Sequence, residues 1–174
     1  MICSYLDYTP DIDAKAWLAS NVDVIGRVKI GKDTSVWYQS VLRGDVNSIT
    51  IGERTNIQDH TVIHNSGDAP CVVGDDVTVG HKVLLHGCEV QNLCLVGMGS
   101  IVMDHAVLEE GCFLAAGSLV PEGKVLKGGY LYAGSPARER RELTDKERDF
   151  LHQSAKHYVK LAKTHQDSVT IIAP

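Results

Sequence analysis

The stretch Val90-Gln-Asn-Leu-Cys-Leu-Val96-Gly-Met-Gly-Ser-Ile-Val102-Met-Asp-His-Ala-Val-Leu108 places an aliphatic residue at every sixth position. An α-helix would space apolar residues by three and four, and a half-buried strand would alternate them. A period of six fits neither. It is the signature of a hexapeptide β-helix, in which three hexapeptides make one triangular coil and stacked coils share an aliphatic core. Working outward, the rhythm runs back through Leu85, Val79, Val73, Ile63, Ile57, Ile51, Leu42, Val36 and Ile30 to about Val24, and forward through Leu114 and Val120 to Leu126. The next position is often small, as at Gly31, Gly52, Gly74, Gly80, Gly97 and Ala115. Residues 1–20 show no strong pattern, and Asp11–Ser20 reads as a loop or short cap.

The count is broken three times. Three residues are added between Leu42 and Ile51, four between Ile63 and Val73, and one is missing between Leu85 and Val90. On a regular solenoid such breaks are loops, and loops there carry binding functions. Ala133-Gly-Ser-Pro-Ala137 stops the repeat. Thr144-Asp-Lys-Glu147 then reads as a capping box, and Leu151, Ala155, Tyr158, Val159 and Ala162 follow a helical period, predicting one amphipathic helix along the side of the solenoid. The tail Ser168–Pro174 is apolar and carries no reading. The expectation is a mainly β chain, with a β-helix and N-terminal cap over 1–135 and a C-terminal helix and tail over 136–174.

Composition narrows the function. A chain of 174 residues with 44% hydrophobic but only 6% aromatic residues makes one domain with an aliphatic core. A net charge of -5 and a pI near 5.9 argue against nucleic acid or an anionic membrane as partner. No apolar run is long enough to span a bilayer, and the start, Met1-Ile-Cys-Ser-Tyr-Leu-Asp7, lacks the features of a secretory signal. Five cysteines without a C-x-x-C pair read as reduced, buried thiols of a cytoplasmic protein. Cys88 reads as one of these fillers and not as a ligand.

Register arithmetic places the histidines. His64 and His86 each follow the aliphatic residue of their hexapeptide and are one coil apart once the four-residue insertion is counted, so they stack at about 4.8 Å. Arg43 lies one coil further back in the same column. His81 sits one position later in its hexapeptide, in a second column above Asp59 and beside Gln58. Imidazole is the commonest transition-metal ligand at neutral pH, and three of them leave a fourth position for water. Two columns on adjacent faces of a convex prism diverge. If a second copy docks its second column on the first, His64 and His86 meet His81 of the neighbour and Arg43 approaches the neighbour's Asp59. Such head-to-tail contact closes into a ring, and a triangular prism suits three.

The ordered set Arg43-Gly-Asp45, Asn56-Ile-Gln58-Asp59, His64, Val79-Gly-His81 and Leu85-His86-Gly-Cys88 resembles the bacterial γ-class carbonic anhydrase-like proteins, including those encoded with phenylacetate and carnitine pathways, over roughly residues 12–136. The resemblance implies a left-handed β-helix, a homotrimer, and Zn2+ (or Fe2+, Co2+ or another divalent metal) held at each subunit interface by His64, His81 and His86. It implies that Arg43, Asp45, Gln58 and Asp59 line the site. The activity implied is reversible hydration of carbon dioxide to bicarbonate, through hydroxide on the metal. One departure matters. The prototype of the class carries a long acidic loop with a proton-shuttling glutamate, whereas here Asn65–Pro70 holds only Asp68, so weak turnover is expected.

Other readings stay beside this one. Arg43, Asp45 and Asp59 form either an interface ion-pair network or a set that orders the site. Gln58 either bonds a metal-held water or caps a coil turn, and Asn56 reads as structural. Tyr132 is a candidate for the rim, while His60, His105, His152, His157 and His165 read as surface residues. The rival functions are a hexapeptide acyltransferase or thioesterase acting on acyl-coenzyme A, which shares the Gly134-Ser135-Pro136-Ala137 ending, and a metal-bearing trimer without turnover.

Overall fold

Three parallel ladders of aliphatic side chains run the length of the molecule. One stacks Val24, Leu42, Ile63, Leu85, Val102 and Val120. The second stacks Ile12, Ile30, Ile51, Val73, Val90, Leu108 and Leu126. The third stacks Leu18, Val36, Ile57, Val79, Val96, Leu114 and Tyr132. From Val24 through Leu126 these ladder side chains are at most 1% exposed. Burying each removes about 1.5–3 kcal/mol worth of apolar surface from water, which offsets the entropy of ordering the coil.

The computed structural model describes residues 1–170 and Ile172. The chain winds into a left-handed parallel β-helix of about 7 turns, with one C-terminal helix. The left hand departs from the usual right-handed crossover. Of the apolar tail, Ile171, Ala173 and Pro174 lie outside the described residues.

The coil begins earlier than the sequence reading has it. Asp11–Ile12 pairs with Lys29 and Ile30, and Trp17–Leu18 pairs with Ser35 and Val36, so residues 11–18 already belong to the solenoid. At the other end, Arg138–Glu142 returns antiparallel on Tyr130–Ala133, closing that sheet edge. All five of its residues are exposed, so it is held by backbone bonds and carries no apolar pattern to read.

The helix Asp145–Ser168 lies on the strands Trp17–Leu18, Ser35–Val36, Asn56–Ile57 and Thr78–Val79. Thr144 Oγ1 accepts from the Glu147 amide, and the Glu147 carboxylate accepts from the Thr144 amide at 2.9 Å. Leu151 packs with Leu95 and Leu143 near one end of this face. At the other end His165 sits among Trp17, Trp37 and Tyr38, its ring centroid 4.8 Å from that of Trp37, with Nδ1 3.2 Å from the Tyr38 hydroxyl. His165 is therefore a docking residue and not a free surface histidine: it follows Tyr158 and Ala162 on the buried stripe.

Candidate metal centre

All three breaks in the six-residue count fall at one edge of the prism, on consecutive coils, between the first ladder and the second. The first break carries Asp45, the second Asn65–Pro70, and the third Gly87. The loops are tied to each other. Asn65 Oδ1 accepts from the Asn47 amide at 2.8 Å, Asn65 Nδ2 donates to the Asn47 carbonyl at 3.0 Å, and Asn47 Nδ2 donates to the Gly67 carbonyl at 3.0 Å.

His64 and His86 are register partners on adjacent strands, just before this edge. Their rings are 5.1 Å apart between centroids, and His64 Nδ1 faces His86 Nε2 at 3.1 Å. The outer nitrogens are each held by a carboxylate. His64 Nε2 lies 3.0 Å from Asp45 Oδ1, and His86 Nδ1 bonds Asp104 Oδ1. A carboxylate accepts only, so each outer nitrogen carries the hydrogen, and in its neutral form each ring turns a lone pair toward the other. Two facing lone pairs repel unless a proton or a metal cation lies between them. Two nitrogens at about 2.0–2.1 Å from a tetrahedral ion would be about 3.4 Å apart, close to the 3.1 Å found. The donor set thus fits a divalent metal.

The acids are tuned for this role. Burial works to raise the Asp45 carboxyl, but hydrogen bonds from His64 and Arg43 outweigh it and hold the group below its ordinary value. Asp104 follows the same balance, with burial opposed by hydrogen bonds from His86 and Ser66. Both remain charged at neutral pH.

His81 stands elsewhere. It occupies the corner column with Asp59, whose Oδ2 is 2.9 Å from His81 Nδ1. Among the described residues, no three His, Cys, Asp or Glu side chains of one chain converge as a metal cluster. Arg43 pairs within the chain with Asp45. Gln58 is buried and donates from Nε2 to Asn56 Oδ1 at 3.0 Å, while Asn56 donates to Thr78 Oγ1 at 3.0 Å. That leaves the Gln58 amide oxygen available to accept a hydrogen bond.

Tyr132 does not reach the rim. It closes the third ladder in the core, and its hydroxyl accepts from the Lys127 amide at 3.0 Å. Cys88 is buried with its sulfur 4.0 Å from that of Cys71, and the neighbouring thiol together with burial pushes its pKa well up. Asp68 is exposed and lies 3.4 Å from His105 Nε2.

Asp104 and Ser66 are the residues that sequence reasoning missed. Because one residue is deleted after Leu85, the coil from Leu85 to Val102 is 17 residues long, which places Met103 over His86 and Asp104 over Gly87. The clue was Gly87: a Cβ there would lie 2.9 Å from Asp104 Oδ1, so only glycine leaves that carboxylate room to reach the ring below.

No family model matches the chain. It is 45% identical to protein YrdA of Escherichia coli strain K12 over 170 residues, covering 94% of this chain and 92% of that protein. It is 44% identical over 159 residues to a carbonic anhydrase of Geobacillus kaustophilus, covering 91% and 87%. It is 44% identical over 170 residues to mitochondrial gamma carbonic anhydrase 2 of Arabidopsis thaliana, and spans 61% of that protein's length. Among solved structures, a hexapeptide transferase family protein from Anaplasma phagocytophilum superposes with a TM-score of 0.92 at 48% identity, covering 94% of this chain and 97% of that one. An N-acyltransferase from Bacillus cereus, AntD, reaches a TM-score of 0.65 at 18% identity over 89% of each chain, and shares the fold alone.

Proposed function

We propose that this chain, which belongs to the γ carbonic anhydrase-like family of hexapeptide-repeat proteins, hydrates carbon dioxide reversibly at a zinc ion shared between subunits of a cytoplasmic homotrimer. The carrying observation is the His64–His86 pair, whose carboxylate-held rings turn lone pairs toward each other at 3.1 Å. His64 and His86 supply two of the three histidine ligands, and His81 of a neighbouring copy supplies the third. His81 and Asp59 share a corner column of their own, which supports a site made by two chains. A bound divalent cation supplies Lewis acidity, bringing the pKa of a coordinated water to about 7 so that hydroxide is available to carbon dioxide at neutral pH.

The chain's own groups do the rest. Asp45 holds the ring of His64 in one tautomer and orientation, and Asp59 sets a carboxylate 2.9 Å from His81 Nδ1. Arg43 secures the second oxygen of Asp45. Gln58, its Nε2 engaged by Asn56, offers its amide oxygen to orient an O–H donor near the carbon that is attacked. Each turnover releases one proton. Asp68, the acid of the Asn65–Pro70 loop, is solvated and faces His105, so it is not held as a positioned base. A positioned base typically contributes about 10²–10⁴-fold to such a transfer.

Hydration is therefore expected to be slow and to rise steeply with a diffusible buffer. The experiment measures metal content, oligomeric state and initial hydration rate on one preparation while imidazole is raised from near zero at fixed pH and ionic strength. A fast rate that ignores imidazole would overturn the missing-shuttle reading. No hydration with metal fully loaded would overturn the hydration reading, and one metal per chain on a monomer would overturn the shared-site reading. The acyl-coenzyme A alternative draws on fold likeness alone, and protection of the protein from heating by coenzyme A would revive it.

A further inference from the structure

Each of the three candidate ligand histidines has a carboxylate of the same chain on its ring: Asp45 on His64, Asp59 on His81, and Asp104 on His86. The third is built differently. Asp104 comes from the coil above and reaches over Gly87; like Asp45 it engages both oxygens, but here the second partner is the inserted loop: Oδ1 accepts from His86 Nδ1–H, and Oδ2 accepts from the Ser66 hydroxyl at 2.6 Å. Ser66 belongs to the inserted loop, which is closed by paired Ser66 and Ala69 backbone bonds of 3.2 Å each. Three coils thus contribute to one hydrogen-bonded chain, Ser66–Asp104–His86. A corner ion pair with no such task would not need a glycine below it and an inserted loop beside it.

We infer that Asp104, anchored by Ser66, is a positioning residue that fixes His86 as its Nδ1–H tautomer and aims its Nε2 lone pair at the metal position. This rests on the metal reading above. A carboxylate behind a ligating imidazole fixes the ring and raises its basicity, and losing such a partner typically lowers metal affinity about 10–100-fold. The charge matters as well as the shape. An asparagine has the length of the aspartate, yet it can turn its NH2 toward the ring and favour the wrong tautomer.

The test titrates the metal-free protein with Co2+ against a competing chelator and records the visible absorption of bound Co2+ together with the urea midpoint of the metal-free form. Asp104→Asn and Asp104→Ala are expected to lose about 10–100-fold in affinity and to alter the absorption bands, with the metal-free midpoint nearly unchanged. Asp104→Glu should recover part of the loss, and Ser66→Ala should lose less than Asp104→Asn. Wild-type affinity and spectrum in Asp104→Asn would sink this role and leave the metal reading standing. An equal loss in Asp104→Glu, with a lowered metal-free midpoint, would make the residue structural and also sink it. Wild-type protein that takes up no Co2+ would bring down the metal reading and this inference with it.

Discussion

Along one edge of the prism the coils lose count three times running; from Val90 to Leu126 they never do. Both regions rest on the same ladders, and in both the inward side chains are buried. The regular coils turn their corners with glycines that face open space, such as Gly117 and Gly123. The broken edge turns with Gly87, against Ala69 and Asp104. It also carries the buried amide of Asn65 and the acid that holds His64, while Asp104, the acid that holds His86, reaches down to it from a regular coil. Regularity supplies stability, and the two insertions place polar groups, Asp45 and Asn65, that the repeat could not.

The largest effects separate the two regions through their common core. Leu85→Ala and Leu114→Ala both remove a side chain that is 0% exposed, and each should lower unfolding stability by about 2–5 kcal/mol in urea. Only Leu85 lies in the strand Leu84–His86, so only Leu85→Ala should also weaken metal binding. Equal metal loss in Leu114→Ala would mean that the coils do not behave as separable units.

A glycine pair sharpens the contrast. Gly87 has φ +51° and Gly117 φ +66°, so alanine at either should cost roughly 1–2 kcal/mol of backbone strain. Nothing lies within 4 Å of a Cβ at Gly117, while one at Gly87 would meet Ala69 Cβ at 2.8 Å and Asp104 Oδ1 at 2.9 Å. Gly87→Ala should therefore be the less stable of the two and should bind metal more weakly, with Gly117→Ala keeping wild-type affinity. Matching metal affinities would show that Asp104 tolerates displacement.

Legibility followed the same division. The regular coils were plain in the sequence because their core is local and periodic. The first coil was missed although Ile12 and Leu18 continue the series to Val24. End coils are covered on one side only, so both residues are partly exposed. Arg138–Glu142 had no signal, being all charged and held by backbone bonds. Tyr132 was misplaced because the count was stopped at Leu126; one more coil from Leu114 puts it in the third ladder. At the edge, the His64–His86 pairing survives the four-residue insertion because the insertion lies wholly between the strands. Asp104 escaped because it sits two positions after Val102, over Gly87 and outside the His86 column.

The smallest effect lies farthest from the edge, at the start of the helix. Hydrogen bonds from Arg141, and from the amide and hydroxyl of Thr144, hold the Glu147 carboxyl down to about 2. Arg141 meets it with both Nη atoms at 2.8 Å. An unfolded glutamate titrates at about 4.3, so the folded state binds its proton more weakly. The resulting stabilisation is fully present above that unfolded value and is lost as pH falls through the folded one. Ion pairs this close to solvent typically contribute about 0.2–1 kcal/mol. Glu147→Gln should therefore lower the urea midpoint slightly at pH 7, and the gap to wild type should close between about pH 4.3 and 2. The comparison belongs on the metal-free protein, because bound metal adds a pH-dependent stabilisation of its own. A gap that persists at pH 2 would mean that the glutamate acts through packing and not through charge. A change in metal affinity at pH 7 would mean that the helix and the broken edge are coupled, against the separation drawn here.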